Sequence, residues 1–314
     1  MKGGDRLKRR IWTWGIPIVF SLAGVYAVLK SLGSFATLSH VHPNWLFLAG
    51  VVLVYPVFAA MRGLRFRQLL QDDQSWAVTI GLGWLYSAAC SVLPGGIGEV
   101  SMPLLYRNAP GGVAHATAAM AVARVQDLLS WLVILAVAGF AVSTLPVASY
   151  YLLGASLLVT AAGALLVFIP PLRRAFFRLL RPIPWPKLHA FLEQLDDRLQ
   201  GMVYNLPSWG STLLLRLLSI LSYYFALRGF GAPVTFAETS VGGALAALLL
   251  VLPVQGVAGI GTVEVWWIMI LRLFGTPWSV AAIGAIGVHV SLLVMSLVVG
   301  GLSFRTSPRL LSST

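Results

Sequence analysis

Eight apolar runs dominate this chain: residues 11–33, 44–61, 75–93, 113–140, 147–170, 209–228, 236–253 and 277–303. A helix needs about 20 apolar residues to cross the roughly 30 Å hydrocarbon layer, so runs of this length predict membrane spans. Inside lipid every backbone N–H and C=O must pair within the protein, and runs of this kind satisfy that demand as helices. The expected fold class is all-α, a polytopic helical membrane protein. Apolar residues make up 58% of the chain and charged residues 10%, against about 45–50% and about 25% in soluble domains. A soluble globular chain and a disordered chain are both excluded.

The formal charge is +12, from 22 Lys and Arg against 10 Asp and Glu. The cations gather at the basic N-terminus 1–10, in the connection 62–74 with Arg62, Arg65 and Arg67, in the polar section 172–207, and in the tail 304–314. Short connections rich in Lys and Arg stay on the cytoplasmic side. The expected partners are therefore membrane lipids and not nucleic acid, and both termini are expected in the cytoplasm. The N-terminus reads as a retained first helix because no small-residue cleavage site follows its apolar run. One cysteine, Cys90, rules out an intramolecular disulfide and a cysteine metal cluster. The sequence has no HExxH, no recognisable Ser-His-Asp set and no DxD, so no metal, cofactor or enzymatic chemistry is expected.

Parity sharpens the organisation. An even number of passes must join 62–74 to 172–207, yet only three long runs lie between them. The short segment 97–109 must supply the fourth, and 262–274 plays the same part later in the chain. A 13-residue helix covers about 20 Å, so each short segment falls short of a full span alone and is read as a broken or re-entrant helix. The expectation is eight long helices plus two short ones in one transmembrane domain, 11–303, multi-pass in the cell membrane.

Each short segment follows a glycine-rich break, at Gly95, Gly96 and Gly98 in the first case and at Gly259 and Gly261 in the second. An offset of 165 residues carries Glu99 onto Glu264, Arg107 onto Arg272 and Arg124 onto His289. The first break is approached by an outward-running stretch and the second by an inward-running one. The sequence thus predicts inverted halves, 44–140 and 209–303, with 147–207 as connector. Inverted repeats with broken helices recur in alternating-access transporters.

Charges inside apolar runs cost at least about 2.5–3.5 kcal/mol each on insertion scales and face a polar interior. Arg124 and Asp127 stand three residues apart on one helix, near enough to pair. They either neutralise each other and tie helices together, or Arg124 binds an anionic head group, its planar fork suiting phosphate, with Asp127 orienting it. Glu99 and Glu264 sit on the first turns after the glycine breaks, where they either cap free N–H groups or balance a bound charge. Arg216 and His289 complete the candidate head-group set. Glu99, Arg124, Asp127 and Glu264 are expected around one shared cavity.

The run Leu93-Pro94-Gly95-Gly96-Ile97-Gly98-Glu99, followed by Arg124-Val125-Gln126-Asp127, resembles the transmembrane region of lysylphosphatidylglycerol synthases. Gly259-Ile260-Gly261-Thr262-Val263-Glu264 is similar to the second glycine-rich signature of that family. The resemblance implies a flippase-like domain that moves or positions phospholipid, and it points to Glu99, Arg124, Asp127 and Glu264. Ala123 stands where that family often carries a glutamate. No soluble transferase domain follows in these 314 residues, so lysyl transfer is not expected. Three readings stay open: a lipid translocase for an anionic phospholipid or isoprenoid phosphate, a non-catalytic partner presenting a polyprenyl-phosphate to a separate transferase, and a small-solute or ion carrier.

Overall fold

The apolar runs pair their backbone groups within themselves, as hydrocarbon requires, and form helices. The computed structural model describes residues 16–33, 42–93, 97–107, 109, 111–142, 154–155, 158–159, 161–163, 165, 168–179, 201–202, 204–249 and 256–306. In chain order the helices are α1 (Ile16–Leu32), α2 (Trp45–Leu70), α3 (Trp76–Val92), α4 (Ile97–Leu105), α5 (Gly112–Phe140), α6 (Pro170–Leu179), α7 (Leu206–Gly229), α8 (Phe236–Leu249), α9 (Thr262–Leu273) and α10 (Trp278–Thr306). A 3-10 turn, Val257–Gly259, precedes α9. Four helices, α2, α5, α7 and α10, are long and apolar enough to cross a membrane, and several shorter ones accompany them. The chain is an all-α polytopic membrane protein.

The end of α2 is the boundary that departs furthest from the sequence reading. The second run continues to Leu70 and carries Arg62, Arg65 and Arg67 inside α2. The connection shrinks to five residues, opened by Gln71 in the left-handed conformation (φ 51°). Hydropathy ends the run at residue 61 because three arginines follow. The helix continues because those side chains find partners: Arg62 stacks over the Phe58 and Tyr86 rings, and Arg65 pairs with Asp127.

Helices α2 to α5 have 26, 17, 9 and 29 residues. Helices α7 to α10 have 24, 14, 12 and 29. Among the described residues both sets therefore place two shorter helices between two long ones. Their leading helices, α2 and α7, lie side by side and antiparallel. At one end the Asn44 N–H donates to the Gly229 carbonyl at 2.8 Å. At the other, Asn205 Nδ2 donates to the Gln68 carbonyl at 2.9 Å. Both asparagines are N-caps of their helices, a role in which a side-chain oxygen satisfies an orphan N–H.

Each set has its own core. Phe66, Leu82, Tyr86, Met102, Tyr106 and Val122 are buried together within α2–α5 and the turn after α4. Leu227, Trp267, Leu271, Ala285 and Val288 fill the second, with Val28 of α1. Trp131 and Leu135 join α5 to Ile220 and Val241. Outward faces are apolar, as at Val52, Leu53, Val133, Val137, Leu213, Val290 and Val294, which suits lipid. Trp45, Trp76 and Trp278 each open a helix and are exposed, a placement that favours the head-group layer. The N-terminal 1–15, most of 147–170, the segment 180–200 and the tail from 307 onward lie outside the described residues.

Candidate functional site

The polar side chains gather in two clusters, one beside each short helix. The first centres on Asp127 of α5. Arg65 from α2 and Arg216 from α7 both reach its Oδ1, the latter at 2.5 Å. Arg65 also approaches Oδ2 at 3.4 Å. Their surroundings are apolar and aromatic: Arg216 lies over the Trp131 ring at 4.8 Å. Taking charges out of water costs several kcal/mol per ion unless they are paired. The three-way pairing keeps these groups charged at depth and locks α2, α5 and α7 together.

Beside it, Arg124 forms an ion pair with Glu99 of α4. Its Nη1 stands 4.0 Å from Asp127 Oδ2, so its near acidic partner is Glu99, not the residue three positions on. Tyr86 of α3 donates its hydroxyl proton to Glu99. It also accepts a bond from Arg124 Nη2 at 3.4 Å. Cys90 Sγ donates to the other Glu99 oxygen at 3.4 Å. Arg62 completes the group. It lies 4.9 Å from the Tyr86 ring centroid and donates to Ser87 Oγ at 3.4 Å. Among the described residues no carboxylate lies within 4.0 Å of it.

Four guanidiniums thus face two carboxylates, leaving two positive charges in excess. The cluster is also open on one side: the Arg124 side chain is 45% exposed, against 3% for Arg65. Arg65 Nε and Arg216 Nε are buried donors with no hydrogen-bond partner. Unsatisfied buried donors cost roughly 1–3 kcal/mol each. A basic, partly open cluster with spare donors is suited to an anion.

The second cluster surrounds the other glycine break. Glu264 Oε2 accepts from the Gly261 N–H at 2.8 Å, capping α9. Its Oε1 lies 2.7 Å from His289 Nδ1 on α10. His289 Nε2 lies 2.9 Å from the Ala258 carbonyl oxygen, and a carbonyl only accepts, so Nε2 carries a proton. One further proton is then shared between Nδ1 and Glu264. In either tautomeric form the pair is neutral as a whole. Gly256 N–H donates to Thr262 Oγ1 and Val257 N–H to Ser21 Oγ. Gly259 and Gly261 take φ of 75° and 82°, a region that favours glycine. A Cβ on Gly261 would come 2.6 Å from the Ser21 carbonyl oxygen of α1. The break is sealed by α1, and Glu264 and His289 are both buried.

Among the described residues the hydrogen bonds and ion pairs form two networks, and none joins one to the other. Glu99, Arg124, Asp127 and Arg216 come together, while Glu264 and His289 form the other group. Gly98 packs α4 against α3, where a Cβ would meet the Ala89 carbonyl oxygen at 2.5 Å. Gly95 and Gly96 lie outside the described residues. Sequence reasoning missed Arg62, Arg65 and Tyr86. The signal was present for the first two: Tyr55, Phe58, Arg62 and Arg65 recur every three to four residues, one face of a helix that continues past the apolar run. Gln126, inside the motif, is spent on packing: its Nε2 donates to Ser208 Oγ at 2.8 Å, and Thr212 donates to its Oε1 at 3.2 Å.

The family model described as lysylphosphatidylglycerol synthase TM region matches residues 14–300. No curated protein and no solved structure matches the chain.

Proposed function

This chain belongs to the lysylphosphatidylglycerol synthase TM-region family, and we propose that it is a lipid translocase that takes a phosphate-bearing head group at the cluster around Arg124. Family and fold together are consistent with a lipid-handling membrane protein. The observation that carries the finer reading is the excess of guanidinium over carboxylate inside a bundle whose outer faces are apolar. Arg124 is the open member of that cluster and meets the head group; Glu99 holds its guanidinium in place, and Arg65, Arg216 and Asp127 form the rigid floor. The acyl chains stay against the apolar helix faces.

Movement comes from two inverted halves, 44–140 and 209–303, joined by 147–207. Three observations support inversion. The leading helices run antiparallel, each set places two shorter described helices between two long ones, and Glu99–Arg124 and Glu264–His289, related by 165 residues, are both contacting pairs. Rocking one half against the other exposes the site alternately. Both termini are assigned to the cytoplasm of a cell-membrane protein, which tags at 1–10 and 304–314 with side-specific labelling would check.

The test is reconstitution into vesicles carrying labelled phospholipid. The expected result is protein-dependent transfer between leaflets, lowered in Arg124→Ala. Transfer no faster than in protein-free vesicles across several lipid classes overturns the reading.

A further inference from the structure

The charge balance of the Arg124 cluster says more than that it binds an anion. Arg65 and Arg216 share Asp127, and Arg124 is matched by Glu99. The arithmetic leaves two unmatched positive charges among the described residues, and Arg62 is one of them outright: its polar contact is a 3.4 Å bond to the neutral Ser87 hydroxyl. Arg62 and Arg124 flank Tyr86, the first over its ring and the second at its hydroxyl. Arg65 Nε and Arg216 Nε remain as unpartnered buried donors.

An anion that completes this cluster needs two negative charges and several acceptor oxygens. A phosphodiester head group carries one charge and two free oxygens. A phosphomonoester carries about 1.5 to 2 charges near pH 7 and three free oxygens. Arginine forks pair with such oxygens two at a time.

We propose that the Arg62–Arg65–Arg124–Arg216 cluster selects a phosphomonoester dianion over a phosphodiester, so that the lipid it takes ends in a terminal phosphate. The inference rests on the head-group reading above and narrows its substrate class. Arg62 is the specificity-determining residue, because among the described residues no carboxylate lies within 4.0 Å of it and its polar contact is a neutral hydroxyl.

The experiment titrates the full chain, in detergent and followed by native mass spectrometry, with three probes: phosphatidic acid, phosphatidylglycerol with the same acyl chains, and inorganic phosphate. Phosphatidic acid is expected to bind at least about tenfold more tightly than phosphatidylglycerol, a difference of about 1.4 kcal/mol. Equal affinity for the two lipids overturns the selectivity while leaving the head-group reading standing. Binding of neither lipid overturns both. Inorganic phosphate binding as tightly as phosphatidic acid supports the dianion site and assigns its source to soluble phosphate. Arg62→Gln is expected to lower affinity for the monoester more than for the diester, bringing their ratio towards one, and Arg62→Lys to retain the preference. An Arg62→Gln protein that folds and keeps the full ratio removes Arg62 from the assignment. Should that variant fail to fold, the lipid comparison on the unaltered chain decides alone.

Discussion

The two glycine breaks share a plan and differ in what surrounds them. Each is followed by a short helix with a glutamate in its first turn, and each glutamate meets a basic side chain 25 residues on, in the next long helix. At the first break the partner is Arg124, permanently charged and 45% exposed, amid three further arginines. At the second it is His289, 10% exposed, its other ring nitrogen donating to the backbone of the break itself. Helix α1 covers the second break through Ser21 and Gly24. The same scaffold position therefore serves two ends: a half-open basic site in one half, a closed neutral staple in the other. An excess of charge calls for a ligand, whereas a pair that is neutral as a whole calls for none.

That contrast breaks most severely at Asp127. Replacing it with Asn leaves Arg65 and Arg216 buried without a counter-charge, which costs about 3–5 kcal/mol; thermal unfolding in detergent should show loss of the folded bundle or a large fall in Tm. Gly261→Ala comes next. It forces a left-handed φ on a residue with a Cβ, at about 1–3 kcal/mol, and drives that Cβ into α1. A Tm close to that of the unaltered protein would show that the second break is not sealed as described. His289→Ala orphans the Ala258 carbonyl and one Glu264 oxygen, a loss of about 1–3 kcal/mol, measurable as lowered Tm, with faster amide exchange at 256–264. Arg124→Gln has the smallest effect on stability, about 1 kcal/mol or less for a partly exposed ion pair. In vesicles it should lose most of its lipid transfer. The comparison is sharpest when these last two proteins are measured together. The His289 change should reduce stability more than lipid binding, and the Arg124 change the reverse. If both behave alike, the two halves do not divide the work.

The eight apolar runs alone settle the class of protein, because hydrocarbon permits few ways to satisfy a backbone. The chain also marks the four long helices, the two glycine motifs, and one offset that carries Glu99 onto Glu264 and Arg124 onto His289. These follow from local composition and periodicity, which a reader of the chain can count. Which charges meet is set by the packing of helices distant in the chain. Arg65 and Arg216 reach Asp127 from 62 and 89 residues away. Periodicity along one helix identifies only neighbours three or four positions apart, so it found the Arg124–Asp127 pair, which stands at 4.0 Å, and could not find the closer partners of Asp127 on other helices. Helix packing also carried α2 past its hydrophobic end and turned Arg62 inward. The residue that sets the charge balance of the site therefore looked, in one dimension, like part of a cytoplasmic loop.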